Sequence, residues 1–163
     1  MLDKKDLYAL LDSRHISYEN FDHPAVYTME EARLQDIPYD EKVVKNLFLR
    51  DDKKRNYYLV AIAGNKTVNL KELSDQLQSR KLGFASEADL WEYLKLEKGS
   101  VTPVGILNNT QKNVIMVFDN DLIGEKIGIH PMENTATIIL DFEDVKRLIE
   151  EYGHTIVMCD FDE

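Results

Sequence analysis

The sequence is poor in cysteine: Cys159 stands alone among 163 residues, so no internal disulfide can form. The opening Met1-Leu2-Asp3-Lys4-Lys5-Asp6 mixes charges and lacks the apolar core of an export signal, so a reducing cytoplasm is the expected compartment. Cys159 closes a segment rich in β-branched residues and reads as a strand residue rather than a nucleophile. Long hydrophobic runs are absent too; none approaches the roughly 20 residues of a membrane span. Positive charge is scarce, with 20 Lys and Arg against 30 Asp and Glu, a net charge of −10 and a pI near 4.9. That balance excludes a protein that coats nucleic acid, DNA included, because neutralising phosphates takes many cations. It leaves room for a small basic patch at Lys53-Lys54-Arg55 beside Arg50, or at Arg80-Lys81, each also readable as a solvated turn. The acidic end, Asp160-Phe161-Asp162-Glu163, reads as a solvated tail. No Ser/Gly/Pro-rich linker, repeat or low-complexity stretch divides the chain, so one domain over residues 1–163 is expected. There is no nucleophile elbow and no P-loop. His15, His23, His130 and His154 show no paired metal-ligand spacing, and one cysteine cannot build a thiolate zinc site. The expectation is an enzyme or binding domain with no metal, no cofactor and no covalent nucleophile.

What is present is a clear pattern of short elements. Leu7, Leu10 and Leu11 predict a helix over Lys4 to Arg14 with Asp3 as N-cap. Thr28-Met29-Glu30-Glu31 has the capping-box form and starts a short helix that Pro38 must follow. Leu70, Leu73 and Leu77 mark a third helix, and Ala88, Trp91 and Leu94 a fourth. Phe142, Val145, Leu148, Ile149 and Tyr152 form an amphipathic face ended by Gly153 as C-cap. Strands are expected at Val43 to Leu49 and Tyr57 to Ala63, a hairpin around the polar turn 51–56. Further strands are expected at Val114 to Phe118, Thr135 to Leu140 and Thr155 to Cys159, with weaker signals at Ser17 to Phe21 and Leu82 to Ala85. Interleaved helices and strands with an adjacent hairpin predict a mixed α/β fold whose sheet is curved and largely closed, with helices packed outside.

Some polar residues stand where this pattern has no use for them. Lys45 and Asn46 interrupt the apolar run Val43-Val44-Lys45-Asn46-Leu47-Phe48-Leu49. A lysine there either faces water from an edge or aims its ammonium into a pocket, where it would bind a phosphate or a developing oxyanion. Side chains alternate along a strand, so Asn46 should point to the opposite face and serve a site indirectly. Gly99-Ser100-Val101-Thr102-Pro103 reads as a rigid loop with exposed peptide groups, or as an ordinary turn. In Gly128-Ile129-His130-Pro131, read as turn residues carrying one imidazole, Pro131 keeps His130 out of helical geometry. Asn134-Thr135-Ala136-Thr137 could hydrogen-bond that turn.

Four of these segments, in order over nearly the whole chain, carry a resemblance. They are His23-Pro24 before Thr28-Met29-Glu30-Glu31-Ala32, Lys45-Asn46-Leu47-Phe48-Leu49, Gly99-Ser100-Val101-Thr102-Pro103-Val104-Gly105, and His130-Pro131 with Asn134-Thr135-Ala136-Thr137. The chain resembles the YbaK/ProX type of aminoacyl-tRNA deacylase, the free-standing relatives of the editing domain inserted in bacterial prolyl-tRNA synthetases.

The resemblance implies the fold of that domain and hydrolysis of a wrong amino acid from the tRNA for proline. Lys-Asn before Leu-Phe-Leu is similar to the alanine-removing branch, so Asn46 favours alanine. The implied partner is the acceptor end of that tRNA, with prolyl-tRNA synthetase as a second candidate. By resemblance, Lys45 would hold the terminal adenosine region or polarise the ester, by positioning rather than as a base. Gly99, Ser100, Val101, Thr102 and Pro103 would orient the amino group and a water through their backbone. Asn46 and His130 would support the substrate, and Met29, Ala32, Val44 and Leu47 would line a pocket that admits alanine and rejects proline by size. Removal of cysteine or serine instead, and a non-catalytic module that docks a tRNA or synthetase, stay open as alternatives.

Overall fold

A computed structural model describes residues 1–25 and 42–162. The expected helix at Thr28, and with it Met29, Ala32 and Pro38, lies outside the described residues. Numbered in chain order among those residues, the elements are α1 (Lys4–Ser13), β1 (Tyr18–Asp22), β2 (Val44–Asp51), β3 (Tyr57–Ala63), α2 (Leu70–Leu77), β4 (Leu82–Phe84) and α3 (Glu87–Leu94). A 3-10 helix (Pro103–Asn108) follows, then β5 (Val114–Asp119), β6 (Lys126–Ile129), β7 (Ala136–Asp141), α4 (Phe142–Glu151) and β8 (Ile156–Cys159).

Local chemistry sets the ends of these elements. Asp3 caps α1 as expected: its carboxylate accepts the Asp6 N–H at 2.9 Å, and the Asp6 carboxylate accepts the Asp3 N–H at 3.1 Å. Ser86 and Asp89 form the same reciprocal box at the start of α3. The last helix ends one residue before the expected glycine. Tyr152 is its C-cap, and Gly153 follows in the left-handed region at φ 87°, donating its N–H to Glu150 O at 2.9 Å. The β2–β3 hairpin forms with Arg50 opposite Tyr57. Buried Asp51 organises its loop by accepting from the Arg55 N–H and the Asn56 amide, at 2.9 and 2.8 Å. Burial alone would raise the Asp51 carboxyl pKa, but these donors outweigh it and lower it. Lys53, Lys54 and Arg55 are exposed on this loop, and Arg80 pairs with Asp52 at 2.5 Å, so that basic cluster is a solvated, partly neutralised turn.

The strands make two open sheets, not one largely closed one. The larger runs β4-β2-β3-β5-β8, antiparallel through β3 and parallel from β3 to β8. The smaller is antiparallel, in the order β1-β7-β6. The parallel pairings carry the larger sheet outward to an edge at β8, away from β4, and a single parallel bridge, Val43 to Gly128, links it to the smaller sheet. The expectation of closure is corrected accordingly; mixed α/β architecture with helices on the outside holds. The strand β6 was read in the sequence as turn residues, a second correction with a local cause. A Cβ on Gly128 would sit 3.0 Å from Val43 Cγ2 and 3.2 Å from Val43 Cα. Glycine is therefore there for the close approach of two sheets, and it weakens the strand signal in the sequence.

One face of the larger sheet (Val44, Phe48, Leu59, Ala61, Met116, Phe118) packs against Leu7 and Leu11 of α1, Leu90 and Leu94 of α3, α4, and Ile127, Ile129, Ile138 and Leu140 of the smaller sheet. The other face (Leu49, Tyr58, Val60, Ile62, Val117) packs with Leu73 of α2 and Cys159. Cys159 is buried and its thiol pKa is pushed up by burial and by Asp160, as suits a core strand residue. No described helix is long and apolar enough to cross a membrane.

Candidate active site

Lys45 is the second residue of β2, in register with Ile62 of β3. It is half-buried, and its ammonium has no ion pair or hydrogen bond among the described residues. The Val43–Gly128 bridge is parallel, so β2 and β6 leave it in the same direction. Lys45 and His130 thus both stand two residues beyond the junction. The sequence carries no sign of this junction, since the two positions lie about half the chain apart.

Strand alternation puts Asn46 on the other face from Lys45, as expected. Asn46, Leu47, Gly99 and Val101 line one cavity of about 260 Å³, together with Phe84 and Leu90, and Lys45 is not among its lining residues. Asn46 Oδ1 is buried there without a hydrogen-bond partner. Val44 is 4% exposed and belongs to the core face.

The Gly99–Pro103 segment is held firmly. Gly99 takes φ 86°, the left-handed region open to glycine. The Ser100 N–H donates to Glu97 O at 3.0 Å, and Thr102 precedes a 3-10 helix with Pro103 in its first turn. That helix is braced from below: Asn108 Nδ2 donates to Leu94 O at 3.1 Å, and Asn109 Oδ1 accepts the N–H groups of Asn113 and Val114 at 2.9 and 3.1 Å. Thr102 is fully buried, and its hydroxyl has no partner. The loop thus carries a second orphaned polar oxygen, close in sequence to Gly99 and Val101, which share the Asn46 cavity.

His130 follows β6, and the turn after it bonds the imidazole as expected, through the Ala136 carbonyl 3.2 Å from Nδ1. A carbonyl only accepts, so Nδ1 carries the proton and Nε2 presents a lone pair. Burial lowers the His130 pKa; the Ala136 bond opposes this and nearby His23 adds to it, so the neutral form prevails at neutral pH. The His23 ring lies edge-on at 6.4 Å, with Nδ1 2.8 Å from Pro24 O and Nε2 2.9 Å from Thr137 Oγ1. By the same reasoning His23 Nδ1 donates and Nε2 accepts from the threonine hydroxyl.

Sequence reasoning missed a neighbouring cluster. Lys66, 4% exposed, pairs with Asp119 at 2.9 Å and Asp121 at 2.6 Å. Asp119, fully buried, also accepts the Ala63 N–H at 3.1 Å and the Asp121 N–H at 3.0 Å. Burial would lower the Lys66 pKa, but the bonds to Asp121 and Asp119 win and raise it. Residues separated by 53 and 55 positions leave no local signal of this pairing. Among the described residues, no three His, Cys, Asp or Glu side chains gather as a metal site.

The family model described as the aminoacyl-tRNA editing domain matches residues 23–148. The chain is 43% identical over 153 residues to the prolyl-tRNA editing protein ProX of Acetoanaerobium sticklandii, covering 93% of each chain. It is 36% identical over 162 residues to prolyl-tRNA synthetase associated domain-containing protein 1 of Danio rerio, covering 98% of this chain and 88% of that one. Its fold matches the crystal structure of a candidate trans-editing enzyme for prolyl-tRNA synthetase with a TM-score of 0.71 at 20% identity, over 98% of this chain and 96% of the other. The chain belongs to the aminoacyl-tRNA editing domain family and is an aminoacyl-tRNA deacylase.

Proposed function

We propose that this protein is a trans-editing hydrolase acting on mischarged tRNA for proline, and that its substrate carries alanine. The observation that carries the proposal is a half-buried lysine, near the start of a sheet strand, whose side chain has no ion pair among the described residues. The similarity to a prolyl-tRNA editing protein supplies the substrate class, and Asn46 after Lys45 favours alanine within it. Prolyl-tRNA synthetase is the natural protein partner of such an activity.

The chemistry asks little of the site. An aminoacyl ester is already activated, so a positioned water and modest charge stabilisation suffice. In this reading the Lys45 ammonium holds the terminal adenosine region or draws electron density from the ester carbonyl. The Gly99–Pro103 backbone orients the substrate amino group and the attacking water. Asn46 Oδ1 and Thr102 Oγ1, orphaned in the free protein, gain partners when the ligand or its water arrives. His130 positions through its Nε2 lone pair. Met29, Ala32 and Leu47 shape a pocket too small for the proline ring, and Val44 supports it from the core.

The test is a panel of proline tRNA charged with alanine, cysteine, serine or proline, each incubated with purified protein in EDTA. Alanine is released fastest and proline is spared. Faster release of cysteine or serine would reassign the specificity, and binding without any release would make the protein a docking module. Equal cleavage of the prolyl ester would end the editing reading.

A further inference from the structure

A second cavity lies on the other side of the Gly99 loop from Asn46. It holds about 590 Å³ and is lined by Trp91, Lys95, Lys4, Lys5, Tyr8 and Ser100, among others. Trp91 is 48% exposed, unusual for so large an apolar ring, and it is the chain's single tryptophan. Lys95, the left-handed C-cap of α3, places its ammonium 5.8 Å from the Trp91 ring centroid. The Gly99 loop separates this cavity from the one beside Asn46 and contributes residues to both. Ser100 lines this side, while its neighbours Gly99 and Val101 line the Asn46 side.

We infer that this cavity docks the unpaired 3′ end of the tRNA, with a base stacked on Trp91 and the adjacent phosphates beside Lys95, Lys4 and Lys5. The inference rests on the deacylase reading and specifies where the RNA enters. An aromatic face with flanking ammonium groups is the arrangement that holds single-stranded nucleic acid without reading its sequence. The alternative, a core tryptophan, does not fit a ring half in water. Charge says what kind of binding this is. The three lysines share the cavity with Asp3, Glu97 and Glu133, so its formal charge is near zero. Stacking therefore supplies more of the affinity than phosphate neutralisation, and binding depends only weakly on salt. It also reconciles an acidic chain with an RNA substrate: contact is confined to a few nucleotides at the acceptor end.

The test uses the protein's own fluorophore. Titrating the intact protein with a short single-stranded RNA ending in CCA and carrying no amino acid should quench Trp91 emission saturably, with a salt slope of about one to two phosphates. In steady-state deacylation of alanyl-tRNA, Trp91→Ala should raise KM about 5- to 100-fold with kcat unchanged, and Trp91→Phe should recover most of it. Emission indifferent to the RNA, with normal KM in Trp91→Ala, would overturn the docking site while leaving the deacylase intact. Emission that responds to prolyl-tRNA synthetase but not to RNA would make the cavity a protein-docking surface and also overturn it. Failure of the wild-type protein to release any amino acid would strike the deacylase reading instead; the titration on wild-type protein would still report on RNA docking.

Discussion

Two lysines stand near one end of the larger sheet and are treated in opposite ways. Lys66, just past β3, is buried and saturated: two carboxylates surround its ammonium, and Asp119 is itself satisfied by two backbone N–H groups. Lys45, opposite the end of β3, is half-buried and has no such partner among the described residues. A closed network holds one cation and is omitted for the other, 21 positions earlier, which supports the proposal that the first is a brace and the second belongs to a site. Nearby polar groups follow the same division. Both carboxylate oxygens of Asp119 accept hydrogen bonds, whereas Asn46 Oδ1 and Thr102 Oγ1 have no partner. Saturated polar groups hold the fold; in the proposed reading the open Asn46 oxygen, which lines a cavity, takes its partner from the ligand.

The sharpest way to break this contrast is to remove the brace. Lys66→Ala leaves the Asp119 carboxylate buried with only backbone donors, a loss expected at about 3–5 kcal/mol. In thermal melts that corresponds to a drop of roughly 6–20 °C for a chain of this size. Below its melting point the variant should deacylate normally per folded molecule. An unchanged melting temperature would show that the network holds nothing.

An unpartnered polar group is not by itself a site, and His154 marks the boundary. It is 6% exposed, both ring nitrogens lack partners, and it lines none of the described cavities. Burial and then Lys112 lower its pKa to about 4, from 6.5. The folded state thus binds this proton less readily than the unfolded chain. Stability is complete above about pH 6.5 and falls as pH drops toward 4, by up to about 3 kcal/mol if this group acts alone. Urea melts of wild type and His154→Phe at pH 7 and pH 5 check this. The acid loss should shrink in the variant, and an equal loss in both would place its origin elsewhere.

A smaller effect tests the junction two residues before Lys45 and His130. In Gly128→Ala the new methyl meets Val43 and Ile139 at 3.0 Å. The two sheets must part slightly, with an expected loss of about 1–3 kcal/mol. Deacylation should fall more than the stability change explains, because Lys45 and His130 lie just beyond the bridge. Unaltered activity would mean that their mutual placement is unimportant.

Much of this was legible in the sequence because it is local. The period of Leu70, Leu73 and Leu77 gave α2, Asp3 gave the start of α1, and the apolar run from Tyr57 to Ala63 is β3 with both ends as expected. Alternation alone assigned Asn46 to the face away from Lys45. What was not legible is tertiary. The strand β6 hid behind Gly128, whose reason is Val43. Two open sheets rather than one closed sheet depend on which strand edges meet, which periodicity does not encode. The Lys66 brace depends on carboxylates more than 50 positions away, and the half-exposure of Trp91 over a cavity is not written in the spacing that marked its helix.

The central claim is that Lys45 is free because it works on a substrate. The direct measurement is deacylation of alanyl-tRNA for proline by Lys45→Ala, beside a melting curve of the same preparation. The account predicts a melting temperature equal to or slightly above wild type, since no pairing is lost, and a rate reduced about 10²- to 10³-fold, as when one preorganised charge-stabilising group is removed. A folded Lys45→Ala protein that releases alanine at close to the wild-type rate would contradict it and return Lys45 to a strand lysine facing water.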